Sequence, residues 1–502
     1  MTAPNAFNLV DEPWIPVLLR DGSTRPVSLA DVFSADSASI ADLALNPYER
    51  VAVFRLLLCV AQAALGPERL ADESAWLAAK PHLASLSSDY LRRWRPRFFL
   101  YGPHAFLQSD ELRLARPDAA TPCDKFAFRL ASGNNSTLFD HAALGNRVLP
   151  DPTLALAFLS FQNFSAGGLS GTCLWDGSET ARTIQGAPCR EQSMLHGILL
   201  GESLLESVWL NLLTAKTVKS ALGGQWGRPA WEMDALDRRR AAALPGTLLG
   251  QLVPFSRAAK LTRGSPFCIL GEGVRHPQFP AWRDPMATVR TRRDSSGNAV
   301  DSYVSTDPAR LPWRDLSSIL LLRSSGIRSG PLALRHLASL DDADFTLWTG
   351  GLNSDQASEV ATVEWTARLS VAWLEEPALH AYESAMAEAD AQSSRLWAAV
   401  VAYAQNVKPV AQDYKQRTKD LAPYAVPADR AYWDLLAQPE NQRLAQAVDS
   451  PSYLDDWRDA ILSAAKESYA RACPAASSRQ IEAYAQGLPR LNPPKPKDPA
   501  HG

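Results

Sequence analysis

Cysteine and histidine are sparse in this chain, six and eight in 502 residues, and none stands at metal-ligand spacing. Cys59, Cys123, Cys173, Cys189, Cys268 and Cys473 include no CxxC pair, so neither a disulfide framework nor a four-cysteine zinc site can be read from them. Reduced thiols in a cytoplasmic protein are the expectation. The sequence also lacks a GxxxxGK(S/T) phosphate loop, an HExxH helix and a GxSxG elbow. His141 follows Asp140, but adjacent loop residues seldom point together, and no nucleophile has a partner base at useful spacing. No catalytic residue, metal or cofactor is expected. Long apolar runs are missing as well: the longest, Val51–Leu65, is cut by Arg55 and Gln62. That falls short of the roughly 20 residues a membrane helix needs. The first residues show no basic stretch leading into an apolar run, so neither a secretory signal nor a membrane partner is expected.

What is present suits a globular protein of two or three domains, with 46% hydrophobic and 21% charged residues. The net charge of −3 conceals an asymmetry. Between Arg238 and Arg293 stand eleven basic and two acidic residues, a local net of +9, leaving −12 for the rest. A second cluster, Arg92, Arg93, Arg95 and Arg97, alternates with Trp94, Phe98, Phe99 and Tyr101. Basic patches on an acidic chain fit contact with nucleic acid at chosen places. Solvated arginine faces over an aromatic core are the competing reading.

Leu9–Leu19, ending at Asp21-Gly22, reads as a strand and turn, and Arg50–Leu65 as a helix stopped by Gly66-Pro67. Ala131–Thr137 and Ser165–Gly177 are small-residue loops, of the kind that lets a backbone approach a ligand closely. Residues 223–312 read as irregular sheet and loops, with Asp294–Gly297 a turn between short strands. From about residue 365 glycine nearly vanishes, and helices are expected at Val371–Asn406, Ala428–Ala447, Ser452–Ala472 and Ser478–Leu488, with Ser450 capping the third. The fold class expected is therefore α+β: a mixed α/β domain over 1–365, a four-helix bundle over 366–490 and a disordered proline-rich tail over 491–502.

Four segments together resemble the CasA family, the large subunit of the type I-E CRISPR surveillance complex Cascade. They are the opening strand Asn8–Val17; Thr121–Lys125 running into Ala131–Asp140; the loop Ala166-Gly167-Gly168-Leu169-Ser170-Gly171 before the helix with Leu210–Leu213; and Gly350–Ser358 ahead of the bundle. Each is weak alone, but their order and spacing cover essentially the whole chain.

The resemblance implies a non-catalytic subunit that reads the protospacer-adjacent motif in target double-stranded DNA and starts strand separation and R-loop formation. It also implies contacts with the guide RNA 5′ handle, with other Cascade subunits and with a docked helicase-nuclease that does the cutting in antiviral defence. Gly167 and Gly168 match the family's groove-facing glycines. The family's groove lysine has no counterpart here, and Arg275 or Lys260 are the substitutes. Asp355, Gln356 and Ala357 match the strand-separating wedge, expected in a loop tip just before the helices. Asn134, Asn135, Leu138, Phe139 and Asp140 match the loop that reaches the guide handle and neighbouring subunits. Paired cysteines that suggest zinc in some relatives are missing, so no metal is carried over. The alternative is a stand-alone nucleic-acid-processing enzyme using the basic 238–293 region.

Overall fold

The computed structural model describes residues 7–128, 130, 147–293, 296–320, 330–340, 344–355, 358–408, 410–447 and 452–492. Two compact units divide the chain, Met1–Val371 and Ala372–Gly502.

In the first unit the opening segment forms β1 (Ile15–Leu19), flanked antiparallel by β2 (Thr24–Val27) and β3 (Ile40–Leu43). The turn after β1 is made by Gly22 at φ +83° and by Asp21, whose carboxylate accepts from the Ser23 N–H and hydroxyl. Helix α1 (Pro47–Arg69) starts with a capping box from Asn46 and Glu49 and loses helical geometry at Gly66, φ +72°, as Gly66-Pro67 predicts. Its composition and length would allow a membrane crossing, but most of it is buried in the core of this unit. The fully buried Arg55 in its middle explains how: Nη1 pairs with Asp284 Oδ2 at 2.6 Å, Nη2 donates to Gln251 O at 2.5 Å and Nε to Leu252 O at 3.1 Å.

Helix α2 (Asp151–Phe164), apolar almost all round and buried, packs on α1. It leads into a two-stranded ribbon, β4 (Gly168–Leu169) with β5 (Thr183–Ile184). Strand β6 (His196–Leu200) follows. Next come the pair β7 (Arg257–Lys260) and β8 (Phe267–Glu272), then the ribbon β9 (Val289–Arg293) with β10 (Ala299–Tyr303), on either side of the turn expected near Asp294–Gly297.

The main departure from expectation is a long hairpin, β11 (Asp344–Asp355) with β12 (Ser358–Ser370), added to β6 as a three-stranded sheet. Gly350–Asp355 is therefore strand, not a loop before helices, and the boundary expected at 365 falls inside β12. The glycines that suggested a loop permit close packing: a Cβ on Gly351 would lie 2.9 Å from Met194 O, and one on Gly350 2.8 Å from Val363 O.

The second unit is helical: α3 (Glu376–Val407), α4 (Tyr414–Leu436), α5 (Pro439–Gln446), α6 (Tyr453–Ala472) and α7 (Ser478–Gly487). Long helices α3, α4 and α6 with α7 make the bundle, around buried Tyr403, Tyr432, Trp457 and Tyr469. Helix α4 begins well before the expected Ala428, because Asp413 caps it by accepting from Gln416 N and the helix runs through Pro423 and Pro427. Ser452 stands at the N-cap of α6; Ser450 and the tail from 493 lie outside the described residues.

Three buried histidines in the first unit make its stability depend on pH. Burial pushes His196 down to about 4, His276 to about 3 and His336 to about 4 from an ordinary 6.5. The unfolded chain binds protons below pH 6.5 that these buried rings refuse, so their contribution is full above 6.5 and falls as pH drops towards 4, opposed between about 7 and 4.5 by Glu191, whose carboxyl burial raises to about 7. Each histidine contributes a slope of about 1.4 kcal/mol per pH unit in that window. Denaturant unfolding of the full chain at several pH values should show this slope, reduced by one histidine's share in His276→Gln. An unchanged slope in that variant would contradict a neutral buried His276.

Candidate nucleic-acid interface

The glycine loop is built from one end of α2. Ser165 ends the helix, and the chain then doubles back so that Ala166 and Gln185 carbonyls face one buried guanidinium. Arg257 Nη2 donates to Ala166 O at 2.8 Å and Gln185 O at 2.9 Å, while its Nη1 donates to Ser256 O at 2.8 Å. Burial pushes this guanidinium down to about 10, still charged at neutral pH. Arg257 thus fastens both legs of the ribbon.

The two predicted glycines differ in what they do. A Cβ on Gly167 would lie 2.7 Å from Gly186 N and 3.1 Å from Ile184 O, so this exposed position has room for glycine alone. Gly168 is exposed at φ +118° with nothing near its Cβ position, and Leu169 beside it is 83% exposed. Both glycines are exposed, and Gly168 alone of the two has open space at its Cβ position. Arg275 does belong to this place: Nη2 donates to Thr183 O on β5 at 3.1 Å, and Nε pairs with Glu272 Oε1 at 2.9 Å, with the side chain largely exposed. Lys260 is engaged elsewhere, its Nζ donating to Asp110 O at 3.1 Å.

The hairpin end is anchored from below. Ser354 N donates to Ser193 Oγ at 3.1 Å, Ser193 Oγ donates to Ser354 O at 3.2 Å, and Asn353 Nδ2 donates to Thr306 O. Ser193 and Gln192 both hold left-handed backbone, φ +49° and +53°, which costs a non-glycine residue roughly 1–3 kcal/mol. Gln192 Oε1 meets part of that cost by accepting from Tyr303 N at 3.1 Å. Asp355 pairs with Ser358 in the β11–β12 register; Gln356 and Ala357, between them, lie outside the described residues. So do Asn134, Asn135, Leu138, Phe139 and Asp140.

A cleft of about 250 Å³ joins the two elements, with Gly167, Gln185 and Gly186 on the ribbon side, Ser354 on the hairpin side and Glu191–Ser193 between. Its wall is polar. Gln185 Nε2 donates to His276 O at 2.9 Å, and the Glu191 carboxylate accepts from Phe279 N at 3.1 Å. Burial pushes Glu191 up to about 7, so that its negative charge is reduced near neutral pH. The sequence did not mark the Glu191–Ser193 turn, and it marked Arg257 only as one of the basic residues of 238–293.

Much of the basic 238–293 region serves the fold. Arg257 and Arg283 are buried, Arg238 donates to the Trp175, Ser178 and Glu179 carbonyls, Arg240 pairs with Asp237, and Arg293 donates to Gly297 O. In the earlier cluster Arg92 pairs with Asp89, Arg95 with Asp11, and Arg97 donates to Asp234 O, while Phe98 is core. The six cysteines are all buried thiols.

Residues 8–472 match the family described as CRISPR-associated protein Cse1. A curated relative, the CRISPR-associated protein CasA/Cse1 of Thermus thermophilus, is 30% identical, covering 96% of this chain and 95% of its own. A crystal structure of Thermus thermophilus CasA superposes with a TM-score of 0.76 at 26% identity, covering 97% of this chain and 98% of that one. A chain of a structure described as a CRISPR RNA-guided surveillance complex has the same fold, with a TM-score of 0.74 at 19% identity, covering 97% and 100%.

The contact at Gly167 gives a local test of the ribbon. Gly167→Ala should cost about 1–3 kcal/mol by forcing a methyl against backbone that has little room to move. Hydrogen exchange should rise at Ile184–Gly186 in particular. Unchanged exchange there would mean the two legs are not packed as described.

Proposed function

Because the chain belongs to the CRISPR-associated Cse1 family, we propose that it is the non-catalytic DNA-recognition subunit of a CRISPR RNA-guided surveillance complex in the cytoplasm. The ribbon reads the protospacer-adjacent motif in duplex DNA, and the hairpin tip Asp355-Gln356-Ala357 begins strand separation and R-loop formation. The 134–140 loop meets the guide RNA 5′ handle and neighbouring subunits, and a helicase-nuclease docks on the assembly to degrade the target. The observation that carries this reading is the shared cleft: the glycine ribbon and the hairpin base, distant in sequence, border one cavity.

The chemistry of the two elements supports the division of labour. A minor groove is about 6 Å wide and displays mostly acceptors, so a backbone approaching its floor needs an uncluttered residue and a cation beside it. Exposed Gly168 and the guanidinium of Arg275 meet both needs. The Arg275–Glu272 pair is exposed on the arginine side, and surface pairs are worth only about 0–1 kcal/mol, so Arg275 can exchange Glu272 for DNA. We assign the groove to Arg275 rather than Lys260, whose ammonium is tied to Asp110 O. Unstacking one base step costs a few kcal/mol, while exchange of DNA–DNA for RNA–DNA pairs is nearly balanced, so a small wedge at the first pair is enough to start it. The alternative of a stand-alone enzyme built on residues 238–293 gains nothing from the internal engagement of Arg238, Arg257 and Arg283.

Two experiments on the assembled guide-RNA complex test the reading. Arg275→Ala should weaken binding of motif-bearing duplex by about 1–3 kcal/mol and leave motif-free duplex less affected. Equal losses on both would make Arg275 a phosphate contact, with a salt slope lowered by about 0.9. Replacing Asp355, Gln356 and Ala357 with glycines should leave motif binding close to intact yet slow strand displacement on linear duplex. Pre-opened bubble DNA should restore the rate; an equal defect on bubble DNA would remove the wedge role.

A further inference from the structure

Beneath the cleft, three side chains that DNA recognition does not use converge from separate segments. Cys189 follows the ribbon, His196 opens β6 and Asp284 lies between β8 and β9; all three are buried. The Cys189 sulfur, a His196 ring nitrogen and an Asp284 carboxylate oxygen all lie within 4.8 Å of one another. His196 is the informative member. It is fully buried; neither ring nitrogen makes a hydrogen bond of good geometry, and the Met194 and Gly350 carbonyls that lie against the ring can only accept. Those carbonyls can serve only the ring N–H, so the lone-pair nitrogen of the neutral imidazole has no donor; an unpaired buried acceptor costs about 1–3 kcal/mol and calls for another partner. The edge of Phe164, 5.9 Å away between ring centres, holds the ring but satisfies neither nitrogen. The Cys189 thiol makes only a weak 3.6 Å bond to Asn163 Oδ1. Asp284 meets Arg55 through Oδ2 and Met286 N through Oδ1, which leaves lone pairs on both oxygens.

We infer that Cys189, His196 and Asp284 form a binding site for a zinc ion. A thiolate, a neutral imidazole and a carboxylate are the three ligand types zinc takes, at roughly 2.0–2.3 Å, with a fourth position left for water or a backbone oxygen. Such bonds need ligand atoms about 3.3–3.8 Å apart, so the trio closes by about 1 Å. On binding, the Cys189 thiol gives its proton to solvent and its sulfur bonds the metal; no electrons are exchanged. Asp284 then bridges zinc and Arg55. The surplus positive charge stays on Arg55, whose Nε and Nη2 already donate to Leu252 O and Gln251 O. The ion ties the segment entering the Glu191–Ser193 turn to β6, the strand on which the hairpin is built.

The test is metal content of the untagged full-length chain, refolded with zinc or cobalt and then dialysed. About one zinc per chain should remain, and the zinc-refolded protein should unfold at higher denaturant than protein refolded with chelator. The cobalt form should show a thiolate-to-cobalt charge-transfer band that Cys189→Ser abolishes and that Cys59→Ser and Cys123→Ser keep. Because Cys189→Ser can fail to fold, the wild-type refolding comparison stands on its own. Folded wild-type protein that keeps well under one zinc and gives no cobalt band would overturn the site. So would a band that survives Cys189→Ser or disappears in Cys123→Ser, which would move the metal to another cysteine.

Discussion

A single buried guanidinium holds the first unit in register. Arg55, in the middle of a largely apolar helix, reaches two networks that end at the ribbon and the hairpin. Through Asp284 it fixes the loop whose Met286 O accepts from Gly197 N and whose Ala287 bridges His196, and β6 in turn carries the β11–β12 hairpin. Through Gln251 it reaches the glycine ribbon: Arg55 donates to Gln251 O, Gln251 Oε1 meets His276 Nδ1 at 3.0 Å, and His276 O accepts from Gln185. Burial opposes the Asp284 charge, but the guanidinium outweighs it and holds that carboxyl below its ordinary range. A charge pair this deep adds little net stability over an apolar packing, yet losing one partner costs several kcal/mol. Its value here is positional, because it gives ribbon and hairpin a common origin.

That common origin matters under the proposed function, in which reading and opening DNA occur on adjacent base pairs. A reader on a loose loop and a wedge on a separate loose loop would each find the duplex independently, with no fixed spacing between them. Instead the ribbon is clamped by Arg257 and the hairpin by Ser193 and Thr306, so the cleft between them has set dimensions. Left-handed backbone at Gln192 and Ser193 is the local cost of bringing a turn under the hairpin end. In the proposed function the raised Glu191 serves the same end, since a fully ionised carboxylate in that wall would repel an approaching phosphate more strongly.

The sequence revealed elements where local pattern and packing agree. The apolar spacing of Arg50–Leu65 and its Gly66-Pro67 stop, the β1 turn at Asp21-Gly22 and the helices around Trp457 and Tyr469 are of this kind. It misled where a residue type has two uses. The tip at 355–357 is expected just before the helices, yet Gly350 and Gly351 leading to it sit mid-strand, where neighbouring groups leave no space for a Cβ, and a second long strand follows. Pro423 and Pro427 concealed the first half of α4. Arg257 counted towards a basic surface although it is a buried clamp, and no pattern revealed that glycine at 167 also answers to the backbone of Gly186. The pairing of Arg275 with the ribbon was legible only through resemblance. No local pattern could reveal that Ser193 meets Ser354, a contact that only long-range strand pairing creates.

Site-specific photocrosslinking decides whether ribbon and hairpin address neighbouring positions of one duplex. A crosslinking side chain is placed at Leu169 beside the ribbon glycine in one protein and at Ser358 beside the hairpin tip in another. Each is assembled with guide RNA and bound to the same motif-bearing DNA. Adducts are expected within the motif from position 169 and at the first pair beyond it from position 358. Adducts separated by a full helical turn, or a ribbon adduct that ignores the motif, would contradict a shared register of reader and wedge.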